Sequence, residues 1–165
     1  MTAEAGTPPF SPEVLAEYQR ILADYPERRA ALMPTLWLAQ REFGWLSVDV
    51  QTYVAALMEL PLAWVTSAVT FYTMYWTRPP GRHHLQVCRN LPCVLRGSRG
   101  ICRAITERLG IRNGERTADG RFSFEEVECL ASCDTAPVMQ IDNAGYHENL
   151  TVDQAMALID ELARE

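Results

Sequence analysis

HLQVCRNLPC, residues 84–93, and FSFEEVECLASC, residues 122–133, decide how this chain is read. Each begins as a strand and ends in a short-spaced cysteine pair. His84 to Cys88 alternates like a strand, and Phe122 to Glu128 reads as a second one. Cys88 and Cys93 stand as C-x4-C, Cys129 and Cys133 as C-x3-C, and thirty-five residues part the two pairs. Between the strands, residues 97–109 put Ile101, Ala104, Ile105 and Leu109 on one side of a helix that Gly110 stops. Strand, helix and strand make a β-α-β crossover, so the two strands run parallel. Their carboxyl ends share one edge of the sheet, where open α/β folds carry their sites. Four thiols are therefore expected to converge there.

Four gathered thiolates can hold one iron–sulfur cluster or one zinc ion, and both spacings are compatible with either. Cluster sulfurs are negatively charged and need donors, chiefly backbone N–H groups in irregular loops. Both loops are short enough to turn such groups inward. Pro92 stiffens the first, Ser132 offers a hydroxyl donor in the second, and Pro137 ends the second where the next strand begins. A thioredoxin-type dithiol would use C-x2-C instead. His83 and His84 bring a Rieske-type centre to mind, but they precede the strand and four cysteines already suffice.

The chain has 165 residues, enough for one domain or a small domain with a helical extension. Its make-up is 48% apolar and 22% charged, the range of a globular protein. A net charge of −6 argues against nucleic acid as a partner. No apolar run approaches the ~20 residues that span a bilayer, so direct membrane insertion is not expected. MTAEAGTPPF at the start shows no secretory pattern. In a reducing compartment, paired cysteines more often bind metal than form disulfides.

Composition changes near Arg78-Pro79-Pro80-Gly81: all five cysteines follow it and all four tryptophans precede it. The expected division is a helical region over 1–80 and an α/β domain over 81–165. Helices are expected over 12–24, with Ser11 as N-cap and an apolar face of Val14, Leu15, Tyr18, Ile21 and Leu22, and over 28–43, with the regular part beginning at Pro34. A third follows Ser47 and a fourth opens at Pro61, ending in Phe71, Tyr72, Tyr75 and Trp76, a run that reads as packing. Beyond the second cysteine pair, Asp142-Asn143-Ala144-Gly145 signals a hairpin between 138–141 and 146–148. Thr151 and Gln154 form a capping box for a last helix. Arg89, Arg96, Arg99 and Arg103 read as a solvated helix face.

CRNLPC and ECLASCDTAPVMQI, with TFYTMY at 70–75 and YHENLT at 146–151, resemble the NuoE-type 24 kDa subunit family of respiratory complex I, thioredoxin-like [2Fe–2S] ferredoxins. The resemblance covers most of the chain. It implies an α/β, thioredoxin-like ferredoxin domain preceded by an N-terminal helical bundle. It implies Cys88, Cys93, Cys129 and Cys133 as ligands of one [2Fe–2S] cluster, with no counterpart for Cys102, a small residue of the 97–109 helix. The family usually has Gly where Ala131 stands, so a positive φ there would cost Ala something. No G-x-G-x-x-G or Walker A loop is present to bind NADH or flavin. The resemblance places FMN and NADH on a 51 kDa, NuoF-type flavoprotein partner within the peripheral arm of an NADH:quinone oxidoreductase. It implies single-electron exchange between FMN and the cluster, on the cytoplasmic face of a bacterial inner membrane or the mitochondrial matrix side. The same module also serves soluble NAD-reducing or bifurcating hydrogenases and NAD-dependent formate dehydrogenases. A zinc-stapled interaction module is a third reading. The helical half, with Trp37, Trp45, Trp64 and Trp76, reads as a docking arm or as an ordinary core.

Overall fold

The computed structural model describes residues 9–164. The chain divides between Pro79 and Pro80 into two compact units, each with its own apolar core.

Four helices build the first unit: α1 (Pro12–Ala23), α2 (Leu32–Phe43), α3 (Val48–Met58) and α4 (Leu62–Phe71). Ser11 and Ser47 cap α1 and α3, accepting from the N–H groups of Val14 and Val50. A short 3-10 turn over Arg28–Ala31 leads into α2, which begins at Leu32, two residues before Pro34. Pro34 is accommodated because the first helical turn leaves its N–H groups unpaired anyway. Tyr18, Leu36, Leu46, Val54, Met58 and Val65 fill the core. Leu15, expected on the buried face of α1, is exposed instead.

Buried Gln40 fastens the segment after α4. Its Nε2 donates to the Met74 carbonyl at 3.0 Å, and its Oε1 accepts from Trp76 N–H at 2.7 Å. The aromatic run is split by this: Tyr75 is buried, with its hydroxyl on the Met33 carbonyl, while Phe71 and Tyr72 are exposed. None of the four tryptophans is fully buried, so the helical core is built without them.

The second unit is a mixed four-stranded sheet in the order β2-β1-β3-β4: β1 (His83–Cys88), β2 (Phe122–Val127), β3 (Met139–Ile141) and β4 (Tyr146–His147). β1 and β2 are parallel, with Cys88 opposite Val127, while β3 is antiparallel to β1 and β4 to β3. The one-turn α5 (Leu91–Leu95) and the longer α6 (Ser98–Leu109) make the crossing between the parallel strands, and α7 (Val152–Leu162) follows β4. Leu85, Val87, Ile101, Ile105, Phe124, Met139, Ala155 and Ile159 share one core. The Thr151–Gln154 capping box forms as expected. Asp142 and Asn143 both take positive φ, and Ala144 N–H returns to the Ile141 carbonyl, so the hairpin turns as a primed turn must.

Two expectations need correction. β1 starts at His83, so both histidines lie inside it, and all six residues are buried rather than alternating. The sheet is covered on both faces at this strand, which removes the alternation. The segment expected as plain loop over 111–120 lines the outer edge of β2. Gly114 N–H donates to the Phe124 carbonyl and Phe124 N–H to the Glu115 carbonyl, so that edge is not left open. Among the described residues, no helix is long and apolar enough to cross a membrane.

Candidate functional site

β1 delivers Cys88 at its last residue, and β2 ends two residues before Cys129. Because the strands are parallel and in register, both cysteine segments leave the same edge of the sheet. Cys93 does not lie in a loop as expected. It sits on α5, buried beneath the surface. Asn90 caps that turn by accepting from Leu91 N–H at 2.7 Å, and Pro92 occupies its start, where no N–H is needed. The sequence signal was Asn-x-Pro just after the strand.

Cys88 and Cys93 lie in an apolar cradle with Val127, Leu130, Ala136 and Val138, whereas Cys129 and Cys133 are exposed. The peptide bond between Ala136 and Pro137 is cis, and Val138 follows it. The Val138 carbonyl accepts from Cys88 N–H at 3.1 Å, and the Val138 backbone also hydrogen-bonds the Cys93 thiol. Across the second pair, Ala131 N–H donates to Cys129 Sγ at 3.3 Å. Ala131 has a φ of +59°, the conformation at which a glycine was expected.

The thiols sense one another as two pairs with a bridge between them. Burial, and then the adjoining Cys88, push the Cys93 thiol up to about 11. Partial loss of solvent, then the nearby Cys129 and Cys88, raise Cys133. Cys93 and Cys133, which resist ionising beside their neighbours, would give up their protons on binding a cationic centre. The four thiols group as a buried inner pair, Cys88 and Cys93, and an exposed outer pair, Cys129 and Cys133. Among the described residues, no group of three or more His, Cys, Asp or Glu side chains is placed to hold a metal ion.

A family model described as thioredoxin-like [2Fe–2S] ferredoxin matches residues 18–163, spanning both units. This chain belongs to the thioredoxin-like [2Fe–2S] ferredoxin family. Among its relatives, an NADH-quinone oxidoreductase subunit of the E type from Rhizobium meliloti is 44% identical over 87% of this chain and 85% of its own length. The E-type subunit of the Rickettsia bellii NADH-quinone oxidoreductase is 43% identical over 94% and 95% respectively. Among solved structures, an NAD+-reducing [NiFe]-hydrogenase in its H2-reduced state superposes with a TM-score of 0.70 at 22% identity. That alignment covers 81% of this chain and 22% of the hydrogenase chain, and it shows a shared fold.

Other residues singled out in the sequence fall away from the thiols or take other roles. Cys102 is buried in the α6 face of the core, where burial pushes its thiol up to about 12. His84 Nδ1 pairs with Ser123 Oγ at 2.7 Å, and His83 Nδ1 lies 3.6 Å from Asp142. The Arg89 guanidinium pairs with Glu128, joining the residues that follow Cys88 and precede Cys129. Arg96, Arg99 and Arg103 are exposed, as a solvated face requires. Ser132 does not direct its hydroxyl to a sulfur: it donates to Glu148 Oε1 at 2.5 Å. Glu148 was not singled out from the sequence, although Ser132 and Thr135 beside Cys133 are the hydroxyls that call for an acceptor.

Proposed function

We propose that this chain is the electron-carrying, NuoE-type subunit of an NADH:quinone oxidoreductase, with Cys88, Cys93, Cys129 and Cys133 holding one [2Fe–2S] cluster. The observation that carries the ligand set is the meeting of both cysteine pairs at the carboxyl edge of β1 and β2. The function is supported by relatives of matching length that are named as E-type subunits of NADH-quinone oxidoreductases.

When bound, the cluster supplies a centre that takes up and gives back one electron at a time. The chain's own residues set its surroundings. Val127, Leu130, Ala136 and Val138 keep water from the inner pair. The Ala131 N–H and the Val138 backbone lower the charge on the Cys129 and Cys93 sulfurs. Cys129 and Cys133 are the exposed pair, the side from which a redox partner would reach a bound cluster.

The donor is a flavin on a second chain, a NuoF-type protein carrying FMN and the NADH site, as the kinship with E-type NADH-quinone oxidoreductase subunits suggests. The assembly stands as a peripheral arm on the cytoplasmic side of a bacterial membrane. The surface-facing Trp37 and Trp64 of the helical unit fit a docking role. Low-temperature EPR of dithionite-reduced protein tests the core of this reading. A rhombic one-electron [2Fe–2S] signal is expected; a colourless protein with one stoichiometric zinc after anaerobic purification would sink it.

A further inference from the structure

The second ligand segment is tied down from one side by a single acidic residue. Glu148 Oε1 accepts from Ser132 Oγ at 2.5 Å and from Thr135 Oγ1 at 2.8 Å. The two hydroxyls are themselves 2.6 Å apart, so the three groups form a closed triangle around the turn that carries Cys133. The backbone beyond Glu148 continues the seam. Asn149 N–H donates to the Thr135 carbonyl at 2.7 Å, and Leu150 N–H to the Pro137 carbonyl at 3.2 Å. Residues 148–150 thus grip residues 132–137 by side chain and by main chain. The two hydroxyl donors hold the Glu148 carboxyl below its ordinary value, so it is ionised at neutral pH.

We propose that Glu148 is a positioning residue of the cluster site: it locks the Cys133 turn and, as a fixed negative charge, biases the cluster toward its oxidised form. The inference rests on the four cysteines being the ligands. Reduction adds one electron, and so one negative charge, to the cluster, with no proton taken by Glu148. A carboxylate held against the residues flanking Cys133 opposes that added charge. Cluster potentials respond to net charge, to hydrogen bonds at the sulfurs and to solvent exposure, and Glu148 acts through the first. Its effect falls as salt screens the exposed carboxylate.

The test is an EPR-monitored redox titration of the full chain with its cluster, for the wild type, Glu148→Gln and, as a control with the same charge change, Glu107→Gln on the exposed face of α6. Gln keeps an oxygen for both hydroxyls but removes the charge. The expected result is full iron content and a more positive midpoint for Glu148→Gln, a shift that shrinks at high salt, with Glu107→Gln at the wild-type value. A wild-type midpoint in Glu148→Gln, or equal shifts in both variants, overturns the proposal. Should Glu148→Gln fail to hold iron, Ser132→Ala is titrated in its place. Changed EPR g-values then support the clamp, and unchanged g-values and midpoint overturn it. A wild-type protein without any [2Fe–2S] signal brings down the ligand assignment itself, which separates the two failures.

Discussion

The Ala131 N–H donates to Cys129 Sγ across 3.3 Å, and to do so Ala131 stands at a φ of +59°. The donor that eases charge on one sulfur is thus made by a residue in a conformation its own side chain opposes. The left-handed region costs a residue with a Cβ roughly 1–2 kcal/mol. The cost persists because the chain must reverse between Cys129 and Cys133 while aiming that N–H at sulfur.

Ala131→Gly is accordingly expected to stabilise the protein, by about 0.5–1 kcal/mol once the greater freedom of glycine in the unfolded chain is counted. Denaturant titration of both proteins reads this directly. An unchanged or lower midpoint concentration would mean that the turn is not strained at Ala131.

Cys88→Ser, Cys93→Ser, Cys129→Ser and Cys133→Ser should each lower iron content and weaken or alter the EPR signal. Cys102→Ser should leave both as they are, because Cys102 packs with Ile101, Ile105 and Phe124 in the core. Loss of iron in the Cys102 variant equal to that in the others would break the ligand assignment.

Burial raises the Cys102 thiol to about 12 from an ordinary value of 9.0. The unfolded chain therefore releases this proton before the folded one does. Stability is untouched below about pH 9 and falls as pH climbs from there toward 12. At pH 8, iodoacetamide should spare Cys102 in the folded protein and modify it after denaturation, as mass spectrometry of the digested protein would record.

Glu148 runs the other way. Its carboxyl is held low by Ser132 and Thr135, so its contribution is present above the ordinary glutamate value, 4.5, and is lost as acid protonates the folded form below it. Thermal scans between pH 6 and pH 3 should show a smaller acid-induced drop in Tm for Glu148→Gln than for the wild type.

Gly81 lies against the start of β2. A Cβ there would come within 2.3 Å of the Phe122 carbonyl carbon and 2.4 Å of Ser123 N, both backbone atoms that cannot swing aside. Gly81→Ala should cost about 3 kcal/mol or more, the upper end for overpacking. Circular dichroism melts of this variant beside Gly145→Ala, where a Cβ meets nothing, would isolate the effect.

The cysteine spacings, the strand–helix–strand order and the composition break near Pro80 were all present in the sequence, because each is a local pattern. Period, caps and ligand spacing depend on neighbours a few residues away, as Ser11, Ser47 and the Thr151–Gln154 box illustrate. Parallel β1 and β2, and so the convergence of four thiols, followed from the connection alone. What the sequence could not reveal depends on residues far apart along the chain. The burial of all of β1 needs cover on both faces of the sheet. The pairing of Glu148 with Ser132 and Thr135 needs β4 to end beside the second ligand turn. The burial of Cys88 and Cys93 against the exposure of Cys129 and Cys133 depends on how Leu130 and Val138 fold over the first pair. Long-range packing chooses among many partners that local pattern leaves equal, so only the tertiary structure could say which hydroxyls meet which carboxylate, and which thiols face the water.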